Sequence, residues 1–185
     1  MALTKTPVCE FGKKAEDFRL KSIYNKTISL SDIRGQKATL VMFICNHCPY
    51  VKAIIKDLIK DCIELKKDGV NTVAIMSNDT KNYPEDSFEN MIKFAKANSF
   101  GSINYLIDET QEIAKKYSAV CTPDFFGYNK DLCLQYRGRF KELKDLKPVN
   151  HNESDLKKAM TMIAHTQKGP KEQVPSMGCN IKWIN

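Results

Sequence analysis

The strongest constraint on the fold is a continuous apolar stretch followed at once by an amphipathic pattern. The stretch runs from Ala38 to Ile44 (ATLVMFI) without alternation of polar and apolar residues. This pattern is typical of a central strand that is buried on both faces. From Val51 to Ile63, apolar residues recur at three- and four-residue spacing, which predicts a helix. A second apolar run at 70–76 then predicts a parallel strand, reached by a right-handed crossover.

The rest of the chain extends this strand–helix–strand unit. Patterns further along the sequence predict a helix around Met91, a short strand at 105–107, a short helix around Ile113, a hairpin over 125–136 and a last helix around Met160. The order predicts an α/β fold with a central mixed sheet flanked by helices, an N-terminal β extension and an inserted helix and strand. We expect one domain over residues 1–185, with the tail 166–185 packed back on it.

Charge and hydropathy exclude several classes of partner. The formal net charge is +7, but the basic residues are scattered doublets with no basic stripe interleaved with aromatic residues. This distribution predicts solvated helix faces and no nucleic-acid partner. No segment has the apolar length of a membrane span or the pattern of a signal peptide, so we expect a cytoplasmic protein with no membrane partner. We expect a monomer or a weak homodimer.

The seven cysteines do not form a fully paired framework, because their number is odd. In a reducing compartment, cysteines serve as core residues, metal ligands or redox groups. Cys62 lies on the apolar stripe of its helix and Cys133 lies in a predicted apolar strand, so both are interpreted as core residues. Cys9 is interpreted as incidental.

The pair Cys45-Asn46-His47-Cys48-Pro49 lies where the buried strand gives way to the helix. The first turn of a helix has unpaired N–H groups and the positive end of the dipole, which lower the pKa of a thiol. A thiolate attacks disulfides, and a second cysteine two residues away can displace the resulting mixed disulfide. The sequence therefore predicts a redox dithiol in which Cys45 is the more reactive thiol and a protonated His47 lowers its pKa further.

Two structural interpretations compete with this one. A Cys-x-x-Cys pair can be half of a zinc site, but the chain has no second such pair, and its histidines are dispersed. A purely structural pair at this junction is about as improbable. We therefore predict no metal and no cofactor, and we expect His151 and His165 to be surface residues.

Several motifs together resemble the redoxin superfamily, and more closely its peroxiredoxin-like branch, related to the alkyl hydroperoxide reductase and thiol-specific antioxidant (AhpC/TSA) family. The matching segments span nearly the whole chain: Ala15–Leu20 (AEDFRL), the first-strand pattern; Phe43–Val51, the active-site segment; Asp108–Pro123, with its Tyr and Thr-Pro; and Gly178–Trp183 (GCNIKW), a tail motif.

The resemblance implies a thioredoxin fold. In this fold, a cis-proline faces the active cysteines, and its neighbour's backbone pairs with substrate. The resemblance assigns these roles to Pro123 and Thr122. It also implies that Asn46 and Pro49 contact substrate. The tail is expected to cover this region, so Cys121 and Cys179 are candidate auxiliary redox thiols.

The resemblance also raises a peroxidase alternative. Typical peroxiredoxins carry Thr-x-x-Cys-Pro, which puts Cys48 at the peroxidatic position and Cys45 in place of the threonine. Val41 replaces an upstream proline, and Arg137, which matches the family's arginine only loosely, is interpreted as a hairpin-surface charge. These departures favour dithiol exchange.

The sequence thus predicts a thiol–disulfide oxidoreductase in redox homeostasis. The alternatives are a peroxidase acting on hydroperoxides through Cys48 and a non-enzymatic redox sensor or binding module. Expected partners are protein or small-molecule disulfides and thiols, with thioredoxin or glutathione as candidate electron donors.

Overall fold

The computed structural model of the chain describes residues 3–150 and 152–184, and His151, expected at the surface, lies outside these ranges. Its strands are β1 (Leu3–Lys5), β2 (Arg19–Ser22), β3 (Thr27–Ser29), β4 (Ala38–Phe43), β5 (Val70–Met76), β6 (Asn104–Ile107), β7 (Cys121–Thr122), β8 (Asp124–Asn129), β9 (Leu134–Tyr136), β10 (Leu143–Lys144), β11 (Lys147–Pro148) and β12 (Met177–Asn180). Its α-helices are α1 (Leu30–Ile33), α2 (Pro49–Lys67), α3 (Phe88–Ala97), α4 (Glu112–Lys116) and α5 (Asp155–Thr166), and a 3-10 turn spans Pro84–Asp86.

The main sheet has the strand order β3-β2-β6-β5-β4-β8-β9. Strand β4 pairs in parallel with β5 and antiparallel with β8, while β5 pairs in parallel with β6. The sheet is therefore mixed, as the sequence predicts, and the predicted strand–helix–strand unit of β4, α2 and β5 is confirmed.

Every residue of β4 is buried, because the strand contributes to apolar clusters on both faces of the sheet. Leu40 and Met42 join the cluster that includes α2, α3 and α5. Val41 and Phe43 join the opposite cluster, which includes α1 and α4. This alternation is the period of two expected of a strand between two layers, and it fixes the position of the residues that follow β4.

Helix α2 begins at Pro49, after a short loop that follows β4, and it carries seven buried side chains toward the sheet. Cys48 is its N-cap residue and Pro49 its first residue, a position that tolerates proline because that N–H has no helical partner. The helix ends at Lys67, and Gly69 then adopts a positive φ of 80°. Buried Cys62 packs in the core, as predicted.

Two expectations about strand positions are wrong. The first-strand pattern at 15–20 predicts a strand that begins at Ala15. Residues 15–18 are not part of a strand, and β2 begins at Arg19. Cys133 is half-buried and precedes β9, which begins one residue later. It follows a turn in which Leu132 has a positive φ, and its backbone forms only an isolated β-bridge with Lys14. Cys133 is therefore not a core strand residue.

The C-terminal tail packs back through its backbone. Strand β12 lies between β1 and β7 in an antiparallel three-stranded sheet. Ile181 is buried, whereas Trp183 and Ile184 are 38 % and 53 % exposed, so the tail packs through its strand and Ile181 and not through its last apolar side chains. Among the described residues, no helix is long and apolar enough to cross a membrane.

Arg137 is buried, which corrects its interpretation as a surface charge. Its guanidinium lies 3.0 Å from the Asp124 carboxylate, donates to the Ser118 carbonyl and stacks on Phe126. Burial raises the pKa of Asp124 to about 6, against the lowering effect of Arg137. The pair therefore satisfies a carboxylate that has no access to water.

We expect Arg137→Ala to lower the free energy of unfolding by about 3–5 kcal/mol, because it leaves the buried Asp124 carboxylate without its cation. Arg139→Ala is the matched control, since its pair with Asp155 is partly exposed, and we expect a loss below about 1 kcal/mol. Denaturant titration measures both values. Equal losses would contradict the assignment of Asp124 and Arg137 as a buried pair.

Candidate active site

The two cysteines of the Cys-x-x-Cys pair lie between the carboxyl end of β4 and the start of α2. Cys45 follows the strand by two residues, and Cys48 is the N-cap of the helix. Their exposed fractions are 1 % and 0 %. The fold therefore brings both thiols to the end of the sheet, beneath other parts of the chain.

The segment Cys121–Pro123 faces this pair, and the predicted cis peptide bond between Thr122 and Pro123 is present. The Cys45 Sγ lies 3.3 Å from the Thr122 Oγ1, and the Cys48 Sγ lies 3.1 Å from the Thr122 carbonyl oxygen. The predicted approach of the tail is also confirmed, since the Cys179 Sγ lies 3.0 Å from the Cys48 Sγ. Three sulfur atoms therefore meet at Thr122.

Cys48, not Cys45, has the lowered pKa. Its thiolate is stabilised by hydrogen bonds from Cys45, the largest effect, and from Cys179 and the Val51 N–H, which together outweigh burial. The pKa of Cys45 is raised by its hydrogen bond to Cys48, by burial and by the Asp86 carboxylate. These directions are opposite to the expectation for Cys45, and the alkylation rates described below test which thiol is the more reactive.

Asp86 organises the loop before α2, and the sequence analysis missed it. Its Oδ1 accepts from the backbone N–H groups of Asn46 and His47, at 2.8 and 3.3 Å. Its Oδ2 accepts from the His47 Nδ1 and the Asn78 Nδ2, both at 2.7 Å. A buried carboxylate with four donors holds the Cys-x-x-Cys loop from 39–40 residues away. In the sequence, the only indication of this role was an acidic residue in the loop that contains Pro84.

His47 therefore faces Asp86 more closely than it faces Cys45. Its Nδ1 lies 4.0 Å from the Cys45 Sγ, against 2.7 Å from the carboxylate. Because a carboxylate only accepts, the Nδ1 carries a proton that it donates to Asp86. The ring also stacks on Tyr83, with centroids 6.0 Å apart. The structure thus gives His47 a partner that the sequence did not indicate.

Asn46 is used within the protein. Its Oδ1 accepts from the buried Tyr105 hydroxyl at 2.9 Å, and its Nδ2 donates to the Glu85 carbonyl at 3.1 Å. Its side chain therefore fixes the loop in this arrangement, and the substrate contact expected of it stays a prediction. Pro49, expected at the same surface, is half-buried.

Cys121 is buried beside the cluster, but its thiol donates to the Pro123 carbonyl at 3.6 Å. Successive side chains of a strand point to opposite sides, so Thr122 faces the Cys-x-x-Cys pair and Cys121 does not. Burial raises the pKa of Cys121, with a further contribution from Asp124. Cys9 is half-buried, and burial raises its pKa to about 11.

Cys45, His47 and Asp86 form a cluster whose ligand atoms all lie within 4.8 Å of one another, a candidate metal set. The chemistry of a Cys, His and Asp set suits zinc. However, the His47 Nδ1 and Asp86 Oδ2 are hydrogen-bonded at 2.7 Å, and both carboxylate oxygens already have two donors. An ion would have to displace these bonds, so the residues fit a hydrogen-bond network better than a metal centre.

A mixed sheet with a Cys-x-x-Cys pair at its central strand and a cis-proline opposite defines a protein of the thioredoxin-fold class. The chain belongs to the AhpC/TSA family, whose sequence profile matches residues 11–141. This membership supports a thiol-based redox function. A search of functionally curated proteins found no match.

Three solved structures show what this chain resembles in fold. An uncharacterized conserved protein from Geobacillus kaustophilus is 39% identical, covers 100% of this chain and 97% of its own, and has a TM-score of 0.89. A hypothetical protein from Sinorhizobium meliloti 1021 is 36% identical over 98% of both chains, with a TM-score of 0.90. A secreted Mycobacterium tuberculosis disulfide oxidoreductase, 17% identical over 64% of this chain and 80% of its own with a TM-score of 0.54, shares the fold.

Replacing Cys45 by alanine should raise the pKa of Cys48 by roughly one unit or more, because the variant removes the main hydrogen-bond donor to the thiolate. Cys45→Ser keeps an O–H donor, so its Cys48 pKa should stay closer to that of the unmodified protein. The alkylation rate of Cys48 against pH, read by peptide mass, measures all three proteins. Identical curves would contradict this explanation of the lowered pKa.

Asp86→Asn should lower the free energy of unfolding by about 2–4 kcal/mol, since the buried donors lose a charged acceptor. The adjacent exposed residue offers a control: Glu85→Gln should change stability by less than about 0.5 kcal/mol. Denaturant titration gives both numbers. A tolerated Asp86→Asn would show that the four hydrogen bonds do not hold the loop.

Proposed function

We propose that the protein is a thiol–disulfide oxidoreductase that cycles the Cys45–Cys48 pair between dithiol and disulfide. The observation that carries this proposal is the meeting of both thiols at Thr122, with the Cys45 Sγ 3.3 Å from the Thr122 Oγ1 and the Cys48 Sγ 3.1 Å from the Thr122 carbonyl oxygen. Two thiols that meet at one residue, one of them with a lowered pKa, have the two properties that disulfide exchange requires.

In the first step, the Cys48 thiolate attacks one sulfur of the substrate disulfide. A Cys48–substrate bond forms, the substrate S–S bond breaks, and the departing thiolate takes up a proton. In the second step, Cys45 attacks the Cys48 Sγ, transfers its proton to the leaving thiol and closes the Cys45–Cys48 disulfide. The substrate has then gained two electrons, and an external thiol such as thioredoxin or glutathione returns the enzyme to the dithiol form.

The Asp86 network supports this chemistry by positioning. It accepts from the Asn46 and His47 backbone N–H groups and so fixes the loop that carries both cysteines opposite Thr122. The pKa of Cys45 is raised by its hydrogen bond to Cys48 and by burial, and the Asp86 carboxylate raises it further, so Cys45 stays protonated. The network therefore favours a state with one thiolate and one thiol, the state from which exchange begins.

Burial of the pair bears on the substrate. With exposed fractions of 1 % and 0 %, Cys45 and Cys48 cannot meet any disulfide unless a covering segment moves, and a small disulfide needs the smaller opening. We therefore propose that small-molecule disulfides are the first substrates to test, and that protein disulfides react after the tail is displaced.

A thiol peroxidase is the second candidate, and one observation favours it. Cys48 is the N-cap of α2 with Pro49 after it, and its pKa is lowered, as a peroxidatic thiolate needs. Two observations count against a peroxidase, in which a hydroxyl group and an arginine would assist Cys48. The Thr122 Oγ1 lies beside Cys45. The Arg137 guanidinium is paired with Asp124. Hydroperoxide consumption in the presence of a dithiol separates the two activities, and failure of the pair to cycle with glutathione or dithiothreitol would support a non-enzymatic sensor.

Cys48→Ser should abolish disulfide reductase activity, because it removes the attacking sulfur. Cys45→Ser should lower turnover by about a hundredfold or more, because Cys48 then lacks the thiol with which it closes the Cys45–Cys48 disulfide. Cys133→Ser is the control and should retain activity. Dithiothreitol-coupled reduction of a small aromatic disulfide measures the rates. Full activity in Cys48→Ser would rule out the proposed chemistry.

A further inference from the structure

The C-terminal tail occupies the backbone edge beside the cis-proline. In the antiparallel pairing of β12 with β7, Cys179 lies opposite Thr122 and Asn180 lies opposite Cys121. Strand β1 covers the other edge of β12, with Leu3 opposite Cys179. The unpaired N–H and C=O groups of a strand edge can bind an additional strand. Here the edge of β7 is paired with β12 of the same chain.

The tail also places a sulfur atom where a partner disulfide would present one. The Cys179 Sγ lies 3.0 Å from the Cys48 Sγ and 3 % of the residue is exposed. A disulfide bond length is about 2.0 Å, so a shift of about 1 Å brings the two sulfur atoms to bonding distance once Cys48 carries a mixed disulfide. The Cys48 Sγ is therefore within hydrogen-bond distance of the Cys179 Sγ, and it shares Thr122 as a neighbour with the Cys45 Sγ.

Gly178 makes this close approach possible. A Cβ at this position would lie 2.1 Å from the Thr122 carbonyl oxygen and 2.7 Å from its carbonyl carbon, so a larger residue would push the strand away. A glycine before the cysteine therefore allows β12 to lie against the cis-proline segment, and it lets Cys179 reach Cys48.

The residues after β12 hold the strand in place. The Ile181 N–H donates to the Val120 carbonyl at 3.2 Å, and the Lys182 N–H donates to the Asn78 Oδ1 at 2.9 Å. The Gln111 Nε2 donates to the Lys182 carbonyl at 2.7 Å. Because Asn78 also donates to Asp86, the tail and the Cys-x-x-Cys loop share one hydrogen-bond network.

We propose that Cys179 is a third redox-active cysteine, and that the tail strand presents it to Cys48 as a built-in substrate. This inference rests on the proposed function, since the oxidising disulfide comes from that reaction. When Cys48 carries a mixed disulfide, Cys179 attacks the Cys48 Sγ. The Cys48–Cys179 bond forms, the bond to the substrate half breaks, and that half leaves with the proton from Cys179.

The Cys48–Cys179 disulfide then exchanges with Cys45. Cys45 attacks the Cys48 Sγ, the Cys45–Cys48 bond forms, and Cys179 leaves and takes the proton that Cys45 gives up. No net oxidation occurs in this step, because one disulfide replaces another. Cys48 is the sulfur common to both disulfides, which explains its central place among the three.

Oxidised glutathione tests the inference on the full-length chain. The proteins are the unmodified chain, Cys45→Ser, Cys179→Ser, the Cys45→Ser/Cys179→Ser double variant and Cys133→Ser as control. Each is reduced, oxidised with glutathione disulfide, alkylated under denaturing conditions and mapped by peptide mass. Circular dichroism checks the fold of every variant, and serine replaces cysteine with little change of volume.

We expect Cys45→Ser to form a Cys48–Cys179 disulfide and the double variant to stop at a glutathione adduct on Cys48. The adduct should be at least about tenfold less abundant in Cys45→Ser than in the double variant. Equal adduct levels with Cys179 alkylated, or a Cys48–Cys121 bond, would overturn the inference. The proposed function is tested separately by Cys179→Ser, which must still form the Cys45–Cys48 disulfide.

Discussion

The burial of β4 on both faces is the constraint on which the site depends. The strand pairs with β5 and β8, and its side chains alternate between two apolar clusters, so neither its register nor its end can shift without exposing a whole face. The chain leaves this strand at Phe43 and enters α2 at Pro49. The five residues between have little conformational freedom, and they carry both cysteines of the pair.

The second element is a buried carboxylate that replaces water as the partner of this short loop. Backbone N–H groups in a loop between a buried strand and a helix must be satisfied, and Asp86 supplies an acceptor to two of them. The pKa of Cys45 is raised chiefly by its hydrogen bond to Cys48 and by burial, and the same carboxylate adds to this effect, so a group that solves a structural problem also contributes to the protonation of Cys45. The difference between Cys45 and Cys48 follows from their surroundings, since the two residues are chemically identical.

The sequence predicted the β4–α2–β5 unit, the cis bond before Pro123 and the approach of Cys179 to Cys48, because each rests on a strong local pattern or on the family resemblance. It assigned the lowered pKa to Cys45, whereas the structure gives the lowered pKa to Cys48. The difference depends on the hydrogen bonds that Cys48 receives, one of them from Cys179, which is distant in sequence. The burial of Arg137 was also missed, since a hairpin position gives no indication of a partner such as Asp124.

The seven free cysteines divide by their contacts into different chemical classes. Cys62 is enclosed in the core, and its pKa is raised to about 12, so its thiol stays protonated and inert. Cys179 also has a pKa raised to about 12 by burial, yet its sulfur touches a thiolate. A buried thiol is unreactive toward solvent, but a thiol held against Cys48 needs no solvent, since its proton can pass directly to a leaving sulfur. Contact geometry, more than acidity, therefore separates a packing cysteine from a redox cysteine in this fold.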